Sequence, residues 1–280
     1  MSSEDGGRAG TRLDPEAATE RLARLLDGCR LGTRIEWHAG VSSTNDVARE
    51  RGRSGAPDGA LVIAEAQTKG RGRRGRHWHS PPGMGIYVSA VLRPTDPGDD
   101  YGAAVQLVAG IAVAETVGPW SDRPPSLVWP NDCDVDGRKL AGVLVEAEAW
   151  GSGLDFLVCG IGLNVAQGRS DFPEPIRDLA TSLRLLGAEL PERVELVARL
   201  VRNLAAWEDV ARREGLAPVR RRWEELAPGM RDTPVVLDTV EGEVAGRAQG
   251  LTPRGGLRVR TDAGPREVLV GELVRVRRDT

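Results

Sequence analysis

Two apolar runs, SLVWPNDCDV and RKLAGVLVEAEAW, meet at Asp136-Gly137. That dipeptide suits a two-residue turn whose central residues take positive φ, so the runs are predicted to be the arms of an antiparallel hairpin. LDFLVCGIGLNV, residues 154–165, follows closely and extends the meander by a third strand. An antiparallel sheet therefore occupies the middle of the chain, and the remaining segments must cover its faces. TRIEWHAG (33–40), ALVIAEAQ (60–67) and GIYVSAVLR (85–93) are further strand-length runs upstream.

Helical signals lie between them. Asp14 and Pro15 suit a cap and first turn for a helix to about Leu26, stopped at Gly28. SSTNDVARERG (42–52) offers Ser43 or Thr44 as the N-cap of a short helix. Tyr101 to Val117 has the spacing of a well-buried helix, and 191–214 returns to helical period with Val197, Leu200, Val201 and Leu204 on one face. The reading is an α+β fold: a mixed β-sheet with packed helices, continuing to about residue 228. Beyond Met230 the texture changes to short β-like pieces between glycine turns, a small antiparallel barrel of about fifty residues. The expected division is a disordered polar tail over 1–12, a main domain over 13–229 and the barrel over 230–280.

A chain of 280 residues with 40% hydrophobic content can bury a real core. The first twelve residues are polar and lack an apolar h-region, so no signal peptide is expected, and no apolar run approaches the ~18 residues of a membrane span. Cys29, Cys133 and Cys159 are odd in number and lack CxxC spacing. They are predicted to be buried free thiols rather than disulfides or zinc ligands. A cytoplasmic location is the expectation.

Residues 69–78, KGRGRRGRHW, break with this composition. The formal net charge is -3, yet five basic side chains fall in eight positions, against about one at the chain average, and such a concentration calls for an anionic partner. Gly70, Gly72 and Gly75 would let backbone N–H groups converge on an anion, and arginine forks match phosphate oxygens. It is not a P-loop, since GxxxxGK[ST] is absent, and no helix follows it as a dinucleotide fingerprint requires. A nucleic-acid arm would use the same arginines, although Trp78 alone is available for stacking. On the loop alone, a small phosphate, a nucleic acid and a merely solvated loop stand level.

Further motifs separate them. SSTN (42–45), QTKGRGRRGRHW (67–78), WPND (129–132), KLAG (139–142), GIGLN (160–164) and ATSL (180–183) together resemble the biotin protein ligases, in order and with similar spacing, from about residue 33 to the C-terminal barrel. The resemblance implies a catalytic fold like that of class II aminoacyl-tRNA synthetases followed by an SH3-like barrel. It also implies an activity: biotin and ATP are joined as biotinyl-5′-adenylate, and the biotinyl group passes to one lysine of a biotin carboxyl carrier protein domain of a biotin-dependent carboxylase. Some thirty residues before Thr33 leave no room for the DNA-binding winged helix of many relatives, so the monofunctional form is expected, with no DNA or membrane partner.

By the same resemblance, Ser43, Thr44, Asn45 and Gln67 contact the biotin ring, while Arg71, Gly72 and Arg73 fold over biotin and the α-phosphate. Lys139 reaches both the biotin carboxylate and the phosphate and, with Arg73, is the expected catalytic pair. Arg74, Arg76, Trp78, Trp129, Asn131, Asp132 and Asn164 are expected around the nucleotide, Asp132 also as a helper in deprotonating the acceptor amine. Gly160 and Gly162 fit close backbone approach around the ligand. The family places a basic residue before WPND where this chain has Val128, and Lys69 or Arg138 would have to substitute. No protein metal site is expected, His77 and His79 being too few, and Mg²⁺ should arrive bound to ATP. The rival readings are a lipoate or octanoate ligase of similar architecture and a nucleic-acid-binding regulator.

Overall fold

The computed structural model describes residues 10–94, 100–150 and 153–276. Residues 1–9 of the expected polar tail lie outside this set. From Thr11 the chain is pinned, against the expectation of disorder to residue 12: its carbonyl accepts from Arg193 at 2.7 Å. Arg193 in turn forms a buried ion pair with Glu65 at 2.7 Å. Losing one partner of such a pair costs roughly 3–5 kcal/mol.

The main sheet has seven strands in the order β1-β2-β3-β7-β6-β5-β4. These are β1 (Ile35–His38), β2 (Leu61–Ala64), β3 (Gly85–Leu92), β4 (Ser126–Val128), β5 (Asp132–Val135), β6 (Arg138–Trp150) and β7 (Gly153–Asn164). Only β1 and β2 run parallel; the other described neighbours are antiparallel. The Asp136-Gly137 turn forms as predicted, with φ of 52° and 72°. The run before it does not stay one strand. The chain turns at 129–131, where the Trp129–Pro130 bond is cis, and β4 and β5 pair antiparallel on either side of that turn.

Helices α1 (Pro15–Leu25), α2 (Thr44–Arg53), α3 (Tyr101–Val117), α4 (Arg193–Glu214) and α5 (Leu216–Glu225) cover the sheet. Asp14 caps α1 by accepting from the Ala17 N–H at 2.9 Å. Ser43 occupies the N-cap of α2, but its side chain makes no capping bond, a departure from the expected role. α5, not foreseen as a separate helix, starts after Gly215 at φ 74°. By length and composition Tyr101–Trp120 could cross a membrane, contrary to the sequence reading. Its apolar surface is instead packed in the core with α4, α5 and the sheet.

Alternation along β7 explains where the site lies. Leu157, Cys159, Ile161 and Leu163 enter the main core, whereas Phe156 and Val158 pack on the opposite face with Ala48 of α2. That second face continues through Gly160, Gly162 and Asn164. It is apolar under α2, bare in the middle and polar at the end.

The C-terminal unit is a five-stranded antiparallel sheet, in the order β11-β10-β9-β8-β12. Its strands are β8 (Arg231–Thr239), β9 (Gly242–Leu251), β10 (Leu257–Thr261), β11 (Gly264–Val268) and β12 (Gly271–Val276). The predicted combination of a mixed, helix-covered sheet and a small β unit is thus present. The two are joined by a bond from the Leu251 N–H of β9 to Glu224 of α5, at 2.7 Å.

Candidate active site

A cavity of about 240 Å³ opens over the bare stretch of β7. At one end lie Ser43, Thr44 and Asn45, from the start of α2, with Gln67 beside them. Gln67 is fixed from two sides: its carbonyl oxygen accepts from the Thr44 N–H at 2.8 Å, and its amide donates to Ser80 at 2.9 Å. Asn45 is buried, and its amide donates to Glu146 of β6 at 2.7 Å. Gly160 has a packing reason: a methyl group there would overlap the Asn45 Oδ1. At Gly162 a methyl would overlap the Trp78 ring, which lies on the sheet. The close approach expected at these glycines is therefore made by the site's own side chains.

Lys139, on β6, lines the other end of the cavity. Its strand position is fixed on both sides, the Lys139 N–H donating to the Leu179 carbonyl at 2.8 Å and its carbonyl accepting from Thr181 at 2.9 Å. ATSL thus braces this lysine from a loop. The ammonium donates to Asp132 at 2.6 Å and stands 5.7 Å from the Trp78 ring centroid. Asn164 also lines the cavity, as does Asn131, whose amide is tied to the Val143 carbonyl at 2.9 Å.

The basic segment folds as a tight hairpin over the cavity. Trp78 N–H donates to Gly70 at 2.9 Å and Gly72 N–H to Arg76 at 2.7 Å, so the Gly72 N–H is not free to join the expected anion nest. Arg71, Arg73 and Arg76 line the cavity. Arg71 holds both Glu146 oxygens, at 3.0 and 2.9 Å, and Asp46 at 2.7 Å. Arg73 donates to the Gly271 carbonyl at 3.1 Å. Burial draws its pKa below the ordinary guanidinium value, with Glu272 and Asp132 opposing. Arg76 pairs with Glu272 and Arg74 with Asp238, both on the C-terminal unit. Four of the loop's basic residues are therefore engaged within the protein, which disfavours a free nucleic-acid arm.

Three expected site residues lie outside this cavity. Arg74, exposed at φ 52°, turns outward to the C-terminal unit. Trp129 packs in the core, 2% exposed, its indole N–H directed at the Gly255 carbonyl, and forms part of the wall of a neighbouring cleft. Asp132 lines the same cleft, of about 1240 Å³ between β4, β5 and the C-terminal unit. Asn131 and Arg76 border both spaces, and the Lys139–Asp132 bond crosses from one to the other. Val128 also borders the cleft, whereas Lys69 and Arg138 are exposed and line neither space. The cation at the junction is Arg76.

Glu146, Ser89 and Asp134 escaped the sequence reading. A glutamate in the apolar VLVEAEAW was the available signal for the first; Ser89 is a small residue amid the apolar β3 and gave none. Asp134, beside Asp132 in the cleft, has its carboxyl pKa pushed up to about 6 by burial and by Asp132, with Lys139 pulling the other way. Among the described residues no group of three His, Cys, Asp or Glu side chains is placed to hold a metal. The three thiols are free; Cys133 and Cys159 are buried and Cys29 half-buried.

Comparison with known proteins bears on this site directly. Residues 37–164 match the profile of the "Biotin/lipoate A/B protein ligase family", and residues 234–275 that of the "Biotin protein ligase C terminal domain". The biotin--[acetyl-CoA-carboxylase] ligase of Mycobacterium tuberculosis is 36% identical over 278 residues, covering 95% of this chain and 98% of that protein. The bifunctional ligase/repressor BirA of Bacillus subtilis is 31% identical, over 87% of this chain and 74% of its own length. Among solved structures, the biotin protein ligase from Aquifex aeolicus in complex with biotin and ATP superposes with a TM-score of 0.74 at 30% identity, over 88% of this chain and 100% of that one. Sequence, both profiles and fold agree: the chain belongs to the biotin protein ligase family.

Proposed function

We propose that this enzyme activates biotin with ATP as biotinyl-5′-adenylate and transfers biotin to a lysine of a biotin carrier domain, of the kind found in acetyl-CoA carboxylase. The observation that carries the reading is the polarity of one cavity: hydrogen-bonding groups at Ser43–Asn45 and Gln67, where the one lining cation, Arg71, is neutralised by Glu146 and Asp46, and the cations Lys139, Arg73 and Arg76 elsewhere in the lining. A ligand with a polar, uncharged ring and a carboxylate tail fits that arrangement. The assigned division is a catalytic body over 13–229 and an auxiliary unit over 230–280.

Two anions must meet in the first step. The biotin carboxylate attacks the α-phosphorus of ATP, an acyl–phosphate bond forms, and pyrophosphate leaves. Lys139 bridges both anions and holds them within attack distance, while Arg73 stabilises charge that builds on the phosphoryl oxygens. In the second step the neutral amine of the acceptor lysine attacks the acyl carbon and AMP leaves. Asp132, on the cleft side of Lys139, is placed to take the proton that the ammonium must lose. Trp78, Asn131 and Asn164 border the space left for the nucleotide. Magnesium, in this reading, enters with the ATP phosphates, which supply hard oxygen ligands.

ATP–pyrophosphate exchange with biotin, lipoate, octanoate or no acid tests the reading. Exchange with biotin alone is expected. Exchange that follows lipoate or octanoate instead moves the substrate assignment within the fold.

A further inference from the structure

Asn45 has its hydrogen-bonding polarity dictated by its neighbours. Glu146 is a carboxylate whose pKa is held below its ordinary value by the hydrogen bonds from Asn45 and Arg71 and the nearby Arg49, against the effect of burial, so it can only accept. The Asn45 group facing it at 2.7 Å must therefore be the NH₂, whose other proton is directed at the Leu144 carbonyl at 3.3 Å. Both donors are then used. On the other side the Ser89 hydroxyl lies 2.7 Å from Asn45 Oδ1 and 2.8 Å from Thr44 Oγ1. It has one proton, and Asn45 Oδ1 is the partner that cannot donate, so that proton goes to Asn45. Ser89 is 0% exposed, so its hydroxyl has no route to bulk water, and Asn45, 4% exposed, meets only the cavity. What remains is the second lone pair of Asn45 Oδ1.

We propose that Ser89 and Glu146 are positioning residues that lock Asn45 as a hydrogen-bond acceptor, so that this end of the cavity selects an acid bearing a ring N–H donor. The inference rests on the biotin reading and deepens it. The ureido ring of biotin supplies such a donor, whereas a hydrocarbon chain or a dithiolane ring leaves the second lone pair of Asn45 Oδ1 without a partner, the first being taken by Ser89. Discrimination against those acids thus comes from a lone pair they cannot satisfy. Glu146 also holds Arg71 through both oxygens, so the same carboxylate sets the ring end and one arginine of the overlying loop.

A double-mutant cycle read by calorimetric titration of biotin tests the lock. Ser89→Ala is expected to weaken binding about tenfold with Asn45 present, and to add nothing in the Asn45→Ala background. Glu146→Gln, whose amide pairs with Asn45 in either orientation, should weaken biotin and narrow the preference over octanoate. An undiminished Ser89→Ala effect in the Asn45→Ala background overturns the proposal, because that is the behaviour of a packing residue. So does wild-type affinity in both Ser89→Ala and Glu146→Gln. Failure of the wild-type protein to bind biotin would overturn the functional reading first, and is distinguishable because it precedes any variant.

Discussion

The Lys139 ammonium stands between the Asp132 carboxylate, at 2.6 Å, and the Trp78 ring. A ligand carboxylate arriving in the cavity competes with Asp132 for the same donors, so Lys139 is held ready without being buried in a closed pair. Replacing it with alanine should lower biotin-dependent pyrophosphate exchange by roughly 10²–10³-fold and leave the melting temperature nearly unchanged; unchanged exchange would remove Lys139 from the chemistry. Asp134 gives a second test at this scale. Its folded pKa is raised from 3.8 to about 6, so the folded state holds the proton more tightly than the unfolded chain. The stability this supplies is present at low pH and is lost as pH rises from about 4 through about 6. Asp134→Asn should escape that loss, gaining on the wild type by about 1–3 kcal/mol between pH 4 and pH 7. Urea unfolding of both proteins at the two pH values reads this, and a difference independent of pH contradicts it.

At the level of elements, β7 carries the division of labour: one face fills the core, and the other changes from apolar to bare to polar along its length. A methyl group at Gly160 or Gly162 would collide with Asn45 or Trp78 respectively, while the backbone pairing of β7 with β3 and β6 is indifferent to it. Gly160→Ala and Gly162→Ala should therefore fold, by circular dichroism, and lose biotin affinity by about 100-fold or more, the first because displaced Asn45 loses its hydrogen-bond partners, the second because the displaced Trp78 ring fills the cavity. Affinity within twofold of wild type would show that the floor tolerates bulk. Strands, the Asp136-Gly137 hairpin and helices α1, α3 and α4 were legible because period and turn chemistry are local. The break at WPND was not, since LVWPNDCDV reads as one β run until the pairing of β4 with β5 is seen. Ser43, one of the two residues offered for the N-cap of α2, does stand there, but its side chain makes no capping bond and lines a cavity that only tertiary structure creates. Most of the residues that line the cavity, Lys139 among them, were legible through ordered motifs. Ser89 and Glu146 were not, because their importance lies in whom they touch.

Across the whole molecule, the loop joins the two units. Arg73, Arg74 and Arg76 reach Gly271, Asp238 and Glu272 of the C-terminal unit, which explains why so basic a segment sits in a chain of nearly balanced charge. Exposed pairs of this kind contribute about 0–1 kcal/mol each. An Asp238→Asn/Glu272→Gln double variant should therefore melt within a few degrees of the wild type, yet be cut faster by trypsin in the loop and release more adenylate to solution. Equal cleavage rates would mean that these pairs do not restrain the loop. Trp78 has one further consequence. Among the described residues it is the tryptophan that lines the cavity, its ring flanked by the Lys139 ammonium and the bare backbone of Gly142 and Gly162. Its emission should respond to whatever enters, making the protein its own optical titration signal, and the light that Trp78→Phe extinguishes belongs to the site.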